Sequence, residues 1–226
     1  MLHIGLLLLY TYIKDTTDFI NKLELGTSKG PLPEGTLLVS WDVAAMFPNI
    51  DNSLGLKAIE EALNSRNKQS PCTESLVEAV KICLEHNNSA FNGVNFVQSH
   101  GTAMGPKNGC SYADIAMSYI DKIAVTQGPY RPNNCWRFRD DIFDLWHHGF
   151  EALHEFTDFI NNIYPTIKFV LRYSTDQLEF LDVMISLNQG HITTDVFSKP
   201  TDSHLYLLKS SAHPKSSTKS IPYSID

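Results

Sequence analysis

A surplus of positive charge is what this 226-residue sequence lacks first: 18 Lys and Arg stand against 25 Asp and Glu, a formal net charge of −7. Whole-chain attraction to a polyanion predicts the opposite sign, so any grip on nucleic acid must be local. Cysteine is scarce as well. Cys72, Cys83, Cys110 and Cys135 form no CxxC pair and no His/Cys spacing typical of zinc. They read as reduced thiols in an intracellular protein, with nothing to divide nucleus from cytoplasm.

Long apolar runs are missing too. The opening "MLHIGLLLLYTYIK" holds a stretch of signal-core length, but no basic leader precedes it and no small-residue cleavage site follows. It falls short of the ~20 residues that span a bilayer and is expected to be a buried strand or helix. No other segment is long enough to cross a membrane. Repeats and low-complexity tracts are absent. At 42% hydrophobic and 19% charged, the composition is that of an ordinary globular chain, sized for one large domain or a tight pair.

What is present alternates helical and strand patterns. Residues 14–25 read as a short helix capped by Asp15 or Thr16, and 27–35 as a Gly/Pro loop. The β-branched and apolar run 36–43 reads as a buried strand ending on a lone carboxylate, Asp42. Helices are expected at about 53–66, 73–87, 110–125 and 150–163; the third carries Ala113, Ala116, Met117, Ile120 and Ala124 on one face. Asn92-Gly93 between apolar flanks marks a hairpin over 89–98. A second hairpin joins 135–139 to 142–146, and strands follow near 166–173, 178–186 and 191–198. Long helices interleaved with hairpin-joined strands predict an α+β fold: an antiparallel central sheet with helices packed on one face.

Within the second hairpin, "CWRFRDDIFDLW" sets Asp140 and Asp141 between apolar flanks. A hairpin turn and, for Asp42, a strand-end cap account for these acids one way. Carboxylates clustered at an apolar sheet edge account for them another way, because they repel unless a cation lies between them. Mg²⁺ takes one or two carboxylates plus substrate phosphates, and two such ions about 3.5–4 Å apart serve phosphoryl transfer. Phe47, five residues past Asp42, suits either the core or a block on a ribose 2′-hydroxyl. In "GTAMGPKNG" (101–109), Gly101 and Gly105 let backbone approach a ligand closely. Lys107, just before a helix, is placed to meet phosphate as a point charge.

"LLVSWDVAAMFPNI", "HGTAMGPKNGCSYADIAM", "WRFRDDIF", "IKFVLRYSTDQLEFLDVMIS" and "KPTDSHLYLLKSSAHPKSSTKSIPYS" follow in the order of reverse transcriptase motifs A to E. Over roughly residues 12 to 224 the sequence resembles the reverse transcriptases of the Penelope-like retroelement group, which themselves resemble telomerase. The "FLDV" and "KPTD…IPYS" stretches are its most specific part.

The resemblance implies a right-hand polymerase palm over 36–226, with 1–35 a remnant of the fingers and no complete thumb. It implies that Asp42 and Asp140 hold two Mg²⁺ ions, which Mn²⁺ can replace, with Asp141 beside them. Phe47 would be the sugar gate, and Gly101, Met104 and Gly105 the floor under template and nucleotide. Residues 199–202 would end the palm at the primer grip. The partners would be an RNA template, a DNA primer and a dNTP. Lys168 would either donate a proton to pyrophosphate or stand as an exposed strand lysine.

Three positions depart from the family pattern: Cys110 for Pro, Pro48 for Thr and Arg139 for an aliphatic residue. Arg139 is expected to pair with Asp140 and compete with metal. That expectation keeps a second reading open, an inactive relic that binds nucleic acid or protein. A nuclease using the same acids is a third.

Overall fold

The computed structural model describes residues 12–104, 108–202 and 211–216. Its centre is a four-stranded antiparallel sheet in the order β4-β5-β1-β6, built from β1 (Leu37–Val43), β4 (Trp136–Phe138), β5 (Asp141–Trp146) and β6 (Phe169–Ser174). β1 is buried along its whole length except at Asp42, because it lies between β5 and β6 and both its faces are covered. That explains why its sequence runs apolar without alternation.

On one face Leu37, Val39, Trp41 and Val43 meet three helices: α3 (Asn52–Asn64), α5 (Gly109–Gln127) and α6 (Phe150–Ile163). The Trp41 ring packs edge-on against Trp146, and its Nε1 donates to Thr157 Oγ1 at 3.0 Å. The α5 stripe foreseen from its spacing (Ala113, Ala116, Met117, Ile120 and Ala124) is buried as a row. Small residues there let α5 lie close on α3, where Gly55 faces the Tyr112 ring with no room for a side chain. A four-residue helix, α2 (Met46–Asn49), links β1 to α3; α4 (Thr73–Glu85) packs outside α3.

The opposite face of the sheet is covered as well. Helix α1 (Thr16–Thr27), capped by the Asp15 carboxylate accepting from Asp18 N–H at 2.8 Å, brings Phe19 and Leu23 there. A three-stranded antiparallel sheet, β7 (Gln177–Phe180), β8 (Val183–Asn188) and β9 (His191–Val196), supplies Leu178, Phe180, Val183 and Ile185. Phe19 touches the rings of Trp136, Phe143 and Phe180. The single strand foreseen over 178–186 is therefore two. Leu181, at φ 53°, and Asp182 turn the chain back after Phe180. Periodicity did not reveal this, because apolar residues continue through the turn.

The hairpin of β2 (Asn88–Phe91) and β3 (Val94–Val97) stands apart, exposed along both strands, with Asn92 and Gly93 both at positive φ as a tight turn requires. Of the opening apolar run, only Tyr12 to Lys14 fall within the described residues; there Tyr12 bridges Arg137 and Ile13 N–H donates to the Arg137 carbonyl at 2.8 Å. Among the described residues no helix is long and apolar enough to cross a membrane.

Phe19 is fully buried and joins α1 to both sheets. Phe19→Ala is expected to cost about 3–5 kcal/mol, measured as a shift in the urea unfolding midpoint at unchanged slope.

Candidate active site

The three aspartates gather where β1 and β5 reach the same sheet rim. The register pairs Leu38 with Leu145, Ser40 with Phe143 and Asp42 with Asp141. Side chains directly opposite one another share a face, with Cβ atoms about 4.5–5.5 Å apart. The row continues across the sheet as Phe138, Asp141, Asp42 and Val170. Inward along this face lie Leu38, Phe143 and Leu145, so the acids cap the end of an apolar layer.

The hairpin itself differs from the expected one by a residue. Its two-residue turn is Arg139–Asp140, with Phe138 paired to Asp141, and Asp141 begins β5. Asp141, not Asp140, is thus the direct partner of Asp42. Asp140 sits one step beyond, its carbonyl accepting the Val43 N–H at 3.0 Å. The displacement follows from Arg139 taking φ 55°, which places the bend before the two acids instead of between them.

Electrostatics records the crowding. The Asp141 carboxyl is pushed up to about 6, first by burial and then by the negative charges of Asp140 and Asp42; Arg172 and Lys199 oppose the rise. Arg172 lies on β6 across from Ser40 and pairs with Glu179. Lys199 opens the turn closed by Asp202 N–H donating to its carbonyl at 2.8 Å. Arg172 carries no site signal in the sequence, and Lys199 is marked there only within the 199–202 stretch, because β6 and the 199–202 turn approach the acids only in the folded chain.

Other expected residues are placed as follows. Phe47 is half-buried against the helical core, and its carbonyl accepts Thr102 N–H at 2.9 Å. Gly101 has φ +70°, and a Cβ there would lie 2.4 Å from the Pro48 carbonyl oxygen. The loop therefore presses its backbone against the turn that follows Asp42. Met104 is 71% exposed. Gly105 and Lys107 lie outside the described residues. Lys168 is exposed, and its ammonium donates to the Asn161 carbonyl at 2.7 Å.

The expected Arg139–Asp140 pairing is not formed. The Arg139 guanidinium turns toward α5 and donates from Nη1 to Cys110 Sγ at 2.8 Å, and among the described residues no ion pair joins it to an aspartate. Two of the positions that differ from the resembled group are thus contacts of each other.

A third acid in the same sequence run, Asp144, is fully buried and structural. It accepts backbone N–H bonds from Asn134 at 2.6 Å and Cys135 at 3.0 Å, and burial still holds its carboxyl above the ordinary range. A cavity of about 410 Å³ between α3, α5 and α6, edged by Lys57, Tyr119 and Tyr164, includes none of these aspartates in its lining.

Hard carboxylate oxygens opposed across two strands, one of them half-buried and short of positive charge, suit a Mg²⁺-class cation. Among the described residues no three His, Cys, Asp or Glu side chains form a ready metal cage. The donors fit an ion that completes its shell with water and substrate oxygens.

No family model matches the sequence, and no curated protein matches it. Solved structures do. The chain is similar to apo telomerase from Candida tropicalis truncated from its C-terminal domain, with a TM-score of 0.64 at 13% identity over 82% of this chain and 41% of that one. It is similar to telomerase from Candida albicans in complex with a fragment of telomeric RNA, with a TM-score of 0.61 at 12% identity over 85% and 36%. An RNA-dependent RNA polymerase of a human picobirnavirus matches with a TM-score of 0.57 at 12% identity over 76% and 33%. The fold is polymerase-like, and the chain spans well under half the length of each of these structures.

Two outcomes are expected. Gly101→Ala forces a side chain into a left-handed conformation and onto Pro48 backbone, at a cost of at least about 2 kcal/mol in thermal unfolding. Asp141 binds a proton more tightly folded than unfolded, so stability should fall as pH rises from about 4 to 6 and stay lowered above that. Asp141→Asn should remove that slope and raise the melting temperature at pH 7.5, read by calorimetry across pH.

Proposed function

We propose that the chain forms the nucleotidyl-transfer centre of an RNA-directed DNA polymerase from a retroelement of the Penelope-like group. On this reading 36–226 is the palm and 1–35 belongs to the fingers. The observation that carries it is the opposition of Asp42 and Asp141 across β1 and β5, with Asp140 in the adjoining turn, at the rim of a polymerase-like fold. Asp42, Asp140 and Asp141 would hold two Mg²⁺ ions, which Mn²⁺ can replace. Bound there, the ions would supply charge neutralisation at the phosphates and a lowered barrier to deprotonating the primer terminus.

The chain's own residues then have positioning to do. The primer 3′-hydroxyl attacks the α-phosphate of a dNTP, and pyrophosphate leaves. Positioning and charge neutralisation supply most of the rate in such a transfer. Arg172 and Lys199 carry positive charge toward the acids and are suited to phosphate oxygens. Phe47 would exclude a ribose 2′-hydroxyl, and the backbone at Gly101 would floor the template and nucleotide.

Support comes from three directions: the ordered motifs, the opposed acids, and the rotation of Arg139 away from Asp140, which removes the expected competitor for metal. The second reading, a binding module without catalysis, rested on Arg139 pairing with Asp140, and Arg139 is bonded to Cys110 instead.

Mn²⁺-dependent extension of oligo(dT) on poly(rA) by this chain decides between them. Extension is expected to fall by at least about 10³-fold in Asp42→Asn and Asp140→Asn. Undiminished extension by either variant would sink the polymerase reading, and binding of the template without extension would favour the module.

A further inference from the structure

Arg137 carries a charge with no access to solvent: it is 0% exposed, in the middle of the short strand β4. Strand alternation sends Trp136 and Phe138 toward the α1 side and Arg137 toward α5. Its Nε donates to Asp121 Oδ2 at 2.6 Å, inside helix α5, and Asp114 Oδ1 lies 3.8 Å from Nη1. Two further donors are aimed elsewhere: Nη2 donates to the carbonyl of Asp114 at 3.4 Å, and Nη1 donates to the carbonyl of Arg139 at 3.1 Å.

Arg139 is the first residue of the turn that presents Asp140, and it holds φ 55°. For a residue with a side chain this conformation costs about 1–2 kcal/mol and persists only where the surroundings over-determine it. Two bonds do so here, the Arg137 guanidinium on the Arg139 carbonyl and Cys110 on the Arg139 guanidinium. Both lead back to α5. That helix starts directly after the Gly-rich loop, whose Thr102 N–H is bonded to the Phe47 carbonyl.

We propose that Arg137 is a positioning residue: anchored by Asp121 on α5, it fixes the strained Arg139–Asp140 turn and so sets where Asp140 stands relative to Asp42. The catalytic significance of that placement rests on the polymerase reading; the mechanical part does not. An ion pair is suited to the task because a guanidinium presents its donors in a rigid fork, reaching a carboxylate and a carbonyl at once. An apolar residue at 137 would fill the space without holding the turn.

Removing Arg137 alone would leave Asp121 buried and unpaired and could unfold the protein. The test therefore uses Arg137→Met combined with Asp121→Leu, which replaces the pair by apolar volume, and Arg137→Lys, which keeps the charge without the fork. Two measurements are made on each.

Amide hydrogen exchange at Val43 reports the turn, since its N–H is bonded to the Asp140 carbonyl; Val39, in the middle of β1, is the internal control. Mn²⁺ affinity by titration calorimetry reports the acids. Both variants are expected to fold and to keep Val39 protected. Val43 protection should fall at least about tenfold and Mn²⁺ affinity about 10–100-fold, the range for groups that orient metal ligands. A folded double variant with Val43 protection and Mn²⁺ affinity unchanged overturns the proposal. If the unaltered protein binds no Mn²⁺, the polymerase reading fails, and Val43 exchange still decides whether Arg137 holds the turn.

Discussion

The structure depends on a charge it has buried. Arg137 and Asp121 lie inside the contact between β4 and α5, where each alone would be strongly unfavourable and where the pair is held by direct hydrogen bonding. This constraint fixes the sheet edge to the helix. Once β4 is seated, its aromatic neighbours Trp136 and Phe138 must face α1, and the chain must reverse within two residues to pair Phe138 with Asp141. The placement of the acids is a consequence of that seating.

The rim is electrostatically unfinished. Three aspartates share the end of one hairpin and one strand, and among the described residues Arg172 and Lys199 oppose the rise of the Asp141 carboxyl. Of these, Arg172 is shared with Glu179. Folding holds the repulsion in place because the registers of β1 and β5 are set by buried residues further along, from Leu38 to Trp146. A deficit of positive charge kept at the sheet rim is what a divalent cation and a triphosphate would complete.

Arg139 and Cys110, two positions that differ from the group the sequence resembles, make sense as a pair. A proline in place of Cys110 would have no thiol to accept from Arg139, and an aliphatic residue in place of Arg139 would have nothing to donate. Read one at a time each looks damaging; in contact they tie the turn to the helix.

Much of the fold was legible because burial writes a period into the chain. The apolar run of β1, the stripe on α5 and the Asn92-Gly93 turn each follow from short-range rules, and each stands where the pattern put it. The three aspartates were likewise visible as acids misplaced among apolar neighbours. Local patterns could not show which of them face each other, because a shift of one residue in a strand exchanges its faces. The bend at Arg139 decided that register. Nor could they show that Arg137, one of several basic residues in an aromatic run, is buried with a partner sixteen positions earlier. Sequence by itself determined the elements and the chemistry available. Only the tertiary structure decided the pairings, since the energy of a buried charge depends on what lies against it in space.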